Sequence, residues 1–176
     1  MSLIAQGKTY TPAPEGVHAA VCVDVVDKGW VETEWGGKHK CRIVWELSLK
    51  MDDGRPFTIG KTYSVSLHEK ATLYKDLKAW RGKAFTADEL RGFDIERVLG
   101  APCQLVVTHE ERDGVVYGNV TALMKADPKN ILKPTGKYIR AKDREGYQTP
   151  PSAPLADDPP QTKEEQQAEI EESIPF

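Results

Sequence analysis

The 176-residue sequence predicts an all-β barrel with one inserted helix, and three observations carry that expectation. Long stretches alternate apolar and polar residues with a period of two, one longer stretch switches to helical spacing, and turn residues separate the stretches at short intervals. With 39% hydrophobic residues the chain can bury one core but is short for two, so one domain with appendages is expected.

Residues 16–27 (GVHAAVCVDVVD) read as a first strand, with Val17, Ala19, Val21, Val23 and Val25 on one face. After a polar and aromatic loop at 28–38, residues 39–50 form a second strand. Cys41, Ile43, Trp45, Leu47 and Leu49 face one way, and Lys40, Arg42, Glu46 and Lys50 the other. The turn at Asp52-Asp53-Gly54 leads into a third strand over 55–66, where Phe57, Ile59, Tyr63 and Val65 are apolar and Gly60 allows a bend. At Ser66 the period changes. Ser66 and Glu69 make an S-x-x-E capping box, and Leu73, Leu77 and Trp80 recur at helical spacing until Arg81-Gly82. A second box, Thr86 with Glu89, and an Asp94 cap before Ile95, Val98 and Leu99 predict short helical turns closed by Gly92 and Gly100. Two further strands, 102–112 and 115–125, are joined by Asp113-Gly114, a strong hairpin signal. Three strands, a helix and two strands is the element order of the OB fold, a five-stranded, partly open Greek-key barrel.

Beyond Lys125 the periodicity is lost. The expected organisation is a barrel at 1–126, a basic extension at 127–142 holding Lys129, Lys133, Lys137 and Arg140 around Tyr138, and a disordered, acidic, proline-broken tail at 143–176. The net charge of -3 hides this division: residues 1–142 hold 22 Lys and Arg against 18 Asp and Glu, and residues 143–176 hold 2 against 9. A mildly basic body joined to an acidic tail points to a body that meets polyanions.

Several classes of function are set aside. No apolar run is long enough to span a bilayer, and the first eleven residues lack the profile of a secretory signal, so a soluble, cytoplasmic protein is expected. Cys22, Cys41 and Cys103 are odd in number and form no C-x-x-C pair, so they read as small strand residues. His18 near Cys22 and His39 near Cys41 match no standard metal-binding spacing, and neither a metal nor a cofactor is expected. There is no phosphate-binding glycine loop, no H-E-x-x-H and no G-x-S-x-G, and acidic pairs such as Asp52-Asp53 and Glu110-Glu111 fall in turns or at strand ends. No catalytic residue is assigned. A metal-dependent nuclease, whose scattered carboxylates need no sequence motif, is the enzyme-class alternative.

Binding an unpaired nucleic-acid strand needs positive charge along the backbone and aromatic faces on which bases stack. The loop between the first two strands offers both, in Lys28, Trp30, Trp35 and Lys38. An OB fold also uses the face of its second and third strands and the loop between its last two. That adds Lys40, Arg42, Arg55, Phe57, Lys61 and Tyr63, with Arg112 and Tyr117 at the last hairpin. Phe57 and Tyr63 share the apolar parity of their strand, which places packing ahead of stacking for those two. Tryptophans in a Gly-rich polar loop are costly to leave wet, which favours a partner surface for Trp30 and Trp35.

The sequence closes on Glu169-Ile170-Glu171-Glu172-Ser173-Ile174-Pro175-Phe176, an apolar tip after acidic residues. This tip resembles that of bacterial single-stranded DNA-binding proteins, which end in acidic residues followed by Ile-Pro-Phe. The resemblance implies that Phe176 enters an apolar pocket on partner proteins, its carboxylate meeting a basic side chain. It implies too that Ile174 and Pro175 belong to the same contact, and that Glu171 and Glu172 pair with surrounding Lys or Arg. Ser173 departs from the usual acidic residue before the isoleucine, and Glu replaces the usual Asp. More loosely, Leu99-Gly100-Ala101-Pro102-Cys103 through Val107-Thr108-His109 is similar to a segment of small phage replication-cluster proteins. Together these imply a binder of single-stranded DNA that recruits replication, recombination or repair proteins, with no membrane partner. Many OB single-strand binders assemble, so a homo-oligomer is compatible with this expectation. The alternative is an interaction protein whose barrel is a scaffold and whose tip mimics the host binder.

Overall fold

The structure, a computed structural model, describes residues 11–151. It is mostly β. Five antiparallel strands, β1 (Gly16–Thr33), β2 (Gly36–Lys50), β3 (Pro56–Ser64), β4 (Pro102–Arg112) and β5 (Val115–Lys125), form one sheet in the order β3-β2-β1-β4-β5. The edge strands β3 and β5 come close together, and helix α1 (Thr72–Arg81) packs against β5. The expected all-β architecture, five strands with a helix between the third and fourth, is borne out. No helix among the described residues is long and apolar enough to cross a membrane.

The core lies on the inner face of the curved sheet, where Ala20, Cys22, Ile43, Trp45, Leu47, Ile59, Leu105 and Val107 meet Leu73, Leu77 and Trp80 of α1. Cys22, Cys41 and Cys103 are buried strand residues, as expected. Burial pushes the Cys22 thiol up to about 12 and that of Cys41 to about 11, so both stay protonated and unreactive near neutrality.

In β1 the face assignment reverses. The inner residues are Ala20 and Cys22, while Val17 is exposed and Val21, Val23 and Val44 form a second cluster on the opposite face. A bulge between Cys22 and Asp24 then changes the parity, because one extra residue in a strand turns every later side chain over. Val25 therefore returns to the main core. A run in which almost every residue is apolar has no phase to read, which is why alternation misassigned it.

The first two strands are also longer than expected. Residues 28–38 continue β1 and β2 as a hairpin arm whose turn is Glu34-Trp35, stabilised by Thr33 Oγ1 donating to the Gly36 carbonyl at 2.6 Å. β4 pairs only with the Gly16 to Val21 part of β1. Beyond it, the free edge of β1 bonds to loops: the Cys22 N–H donates to Ala101 O, Gly100 N–H to Cys22 O, and Trp30 N–H to Pro151 O.

Helix α1 starts at Thr72 rather than near Ser66, and its N-cap residue Ala71 makes no side-chain cap bond. Ser66 instead accepts from His68 N–H, a local turn that competes with helix formation. The stop at Gly82 holds, in the left-handed region with its N–H on Lys78 O. The Thr86 and Glu89 box is present in both directions and starts the short helix α2 (Ala87–Arg91), and Asp94 caps a 3-10 turn at Ile95–Val98. Asp113 and Gly114 both adopt positive φ, as the turn between β4 and β5 requires.

Two stability predictions follow from these contacts. The Trp80 indole donates to Pro102 O at 2.9 Å, whereas the buried Trp45 indole nitrogen has no partner among the described residues. Trp80→Phe should therefore cost about 1 kcal/mol more than Trp45→Phe in urea unfolding, since only it strands a part-buried carbonyl. The Arg81 guanidinium, with help from Thr86 N–H, lowers the Glu89 carboxyl from its ordinary 4.5 to about 2. A depressed carboxyl stabilises the fold fully above its unfolded value. The gap between wild type and Glu89→Gln should thus be constant above about pH 5 and close as pH falls toward 2, read as unfolding midpoints across pH.

Candidate functional site

The hairpin arm keeps one of its two tryptophans open. Trp35 at the turn is 54% exposed. Trp30 is half buried: its ring lies on Gly37, where a Cβ would strike it, and its N–H donates to Glu32 Oε1 at 3.0 Å. Lys28 is exposed. Lys38 is only 2% exposed, which removes it from any surface for a polyanion, contrary to expectation. It lies opposite Val31 in the β1 and β2 ladder, on the face that carries Gly29, and Pro150-Pro151 close over that glycine.

Three residues expected to contact a strand turn inward in β3. Phe57 and Tyr63 belong to the core, Tyr63 being 3% exposed. Lys61 shares their parity and meets Asp76 of α1 at 2.7 Å, with the Tyr63 hydroxyl donating to the same carboxylate oxygen at 2.8 Å. Burial and the Asp76 charge push the Tyr63 phenol well above its usual range. Lys61 and Tyr63 tie β3 to the helix, and Phe57 and Tyr63 are buried in the core.

What faces outward on β2 and β3 is more selective. Lys40 donates to Ser64 Oγ, and Arg42 reaches Thr62 and lies flat over Gly60, where any Cβ would meet its guanidinium. Farther along the same face are two buried carboxylates, Asp24 and Glu46, at 1% and 2% exposure. Each is satisfied by the segment that follows β5. Thr135 gives its N–H and hydroxyl to Glu46 at 3.0 and 2.8 Å, while Tyr138, Arg140 and the Ala141 N–H all bond to Asp24. Leu132 and Tyr138 cover Val21, Val23 and Val44. The extension is thus a strap across the outer face, and it continues past Asp143, where disorder was expected to begin, as far as Pro151.

Strap and sheet together enclose a groove. Two hollows of about 330 and 290 Å³ share Thr58, Tyr138 and Arg144. The first also takes in Arg55 and Lys137, the second Arg42 and Gly60. Arg144 sits 5.2 Å from the Tyr138 ring centre, a cation held over an aromatic face. Arg55 is shared with Asp53 at 2.6 Å, whereas Arg42, Lys137 and Arg144 have no carboxylate partner among the described residues. Of the expected residues, Arg42 and Arg55 come together here; Lys137, Tyr138 and Arg144 were not foreseen as site residues. Their signal was two acids in strands too apolar to leave them wet, which require partners from elsewhere in the chain.

No protein-family model and no curated protein matches this chain. At the far hairpin, Arg112 is paired with Glu110 at 2.9 Å and Tyr117 is 42% exposed. Glu171, Glu172, Ile174, Pro175 and Phe176 lie outside the described residues.

The strap depends on its buried carboxylates. Asp24→Ala leaves Arg140, Tyr138 and the Ala141 N–H without their shared acceptor, so a loss of about 3 kcal/mol in stability is expected. Limited proteolysis should then cut within 132–147 before it cuts the strands; cleavage no faster than in wild type would show that the acid does not hold the strap.

Proposed function

We propose that this chain binds single-stranded nucleic acid in the groove between the strap and the outer face of β2 and β3, in the manner of an OB-type barrel. The observation that carries the proposal is the convergence of Arg42, Lys137 and Arg144 around the Tyr138 ring in two adjoining hollows. Cations without carboxylate partners can neutralise phosphates, and the exposed Trp35 indole farther along the arm can take a base. The strand order, with the helix between β3 and β4, supports the barrel type. From the groove, Lys40 continues along β2 toward the exposed Trp35 at the turn of the arm. With a rise of about 3.3 Å per residue, the indole lies roughly 23 Å from Arg42 along the strand. DNA as the strand, and recruitment of replication, recombination or repair proteins, rest on the acidic Ile-Pro-Phe segment.

The test is a fluorescence titration with poly-dT at several salt concentrations. Binding should quench tryptophan emission and weaken with salt, log K falling by about 0.7 per log salt for each phosphate neutralised. Arg42→Glu with Arg144→Glu should weaken binding by about tenfold or more and flatten that salt slope. Trp35→Ala should cost about 1 to 3 kcal/mol with the slope unchanged, because stacking carries no counterion release. Absence of binding in dilute buffer, or binding indifferent to both changes, would reject the groove.

A further inference from the structure

A third hollow, of about 540 Å³, shares no residue with the groove. Its walls are apolar side chains from three places: Trp80 of α1, Phe93 and Val98 from the turns after it, and Ile131 at the start of the strap. Ile131 is 56% exposed, an apolar rim held open to solvent. One arginine in the wall, Arg81, is neutralised by Glu89 at 2.9 Å. The two other cations, Arg97 and Lys125, are exposed and have no acidic partner among the described residues. An apolar cleft with two unanswered positive charges at its lip fits an apolar peptide preceded by carboxylates.

The chain contains such a peptide. We propose that this hollow receives the chain's own segment Glu171-Glu172-Ser173-Ile174-Pro175-Phe176, with Ile174, Pro175 and Phe176 against the apolar walls and Glu171 and Glu172 toward Arg97 and Lys125. The chemistry matches in kind and in sign: two adjacent acids, a serine and three apolar residues against two cations and apolar walls. Nineteen residues separate Pro151 from Glu171. A linker of that length reaches at most about 65 Å when fully extended, and such a tether holds the segment at an effective concentration of about 1 mM. A site of only modest intrinsic affinity would then be mostly occupied by its own chain. The nucleic-acid groove is a poorer host, because its cations surround a Tyr138 ring already covered by Arg144 and its floor holds the buried acid Glu46. Docking in the hollow withholds the acidic Ile-Pro-Phe segment from other proteins whatever occupies the groove, so the inference stands apart from nucleic-acid binding.

The test uses a fluorescein-labelled peptide of residues 165–176 and two full-length chains, wild type and Ile174→Ser with Phe176→Ser. The substituted chain, whose hollow is vacated, should bind the peptide about tenfold more tightly than wild type, in which the tethered segment competes at millimolar effective concentration. Adding Arg97→Glu and Lys125→Glu to the substituted chain should weaken the peptide by about tenfold, both residues being exposed and without an acidic partner among the described residues. The indole N–H signal of Trp80 should differ between the two chains in NMR spectra and be independent of protein concentration. Equal peptide affinity for the two chains, or binding lost on Arg42→Glu with Arg144→Glu instead, would overturn the proposal. A Trp80 shift that grows with concentration would overturn it in favour of exchange between copies.

Discussion

Two carboxylates on the outside of the barrel, Asp24 on β1 and Glu46 on β2, decide how the rest of the molecule is arranged. A buried charge without partners costs several kcal/mol, and the hydrogen bonds to these acids described above all come from the strap and none from the strands beside them. Their partners come from more than 85 residues farther along the chain, in Thr135, Tyr138 and Arg140. Satisfying Asp24 and Glu46 thus fixes the path of the strap, and the strap places Lys137, Tyr138 and Arg144 beside Arg42. The groove is a consequence of where two acids were buried.

The same requirement explains why β1 is apolar on both sides. One face supplies Ala20 and Cys22 to the barrel interior, and the other supplies Val21 and Val23 to the seam under Leu132 and Tyr138. A strand packed on both faces loses its alternation, and a bulge inside it reverses the phase of whatever alternation remains. The bulges also change which edge is available. Past Val21, β1 has β2 on one side, and Gly100, Ala101 and Pro151 supply backbone groups on the other.

Much of the fold was legible because its signals are local. Strand order, the Asp113-Gly114 turn, the Thr86 box and the Leu73, Leu77 and Trp80 stripe each depend on a few neighbouring residues. The errors are of the other kind. Lys61 reads as surface charge until Asp76 is brought to it across β3 and α1, and Lys38 reads as a loop cation until the arm is seen to be paired strand. Tyr138 and Arg144 lie in a stretch with no period at all, so composition assigned Tyr138 to an extension and Arg144 to a disordered tail when tertiary contacts make both a wall.

Counting cations therefore overstates how many can meet a polyanion. Lys61, Arg81, Arg112 and Arg140 are each answered by a carboxylate within 3.0 Å, and the field they project is small. The unanswered cations named above fall into two groups, Arg42, Lys137 and Arg144 beside an aromatic ring and Arg97 with Lys125 beside an apolar hollow. Charge attracts at a distance, but the surface beneath it selects what stays: a stacking face suits a base, and an aliphatic and aromatic cleft suits a hydrophobic side chain. Two clusters of the same sign can therefore hold different anions without competing, because the neutral residues between the cations differ.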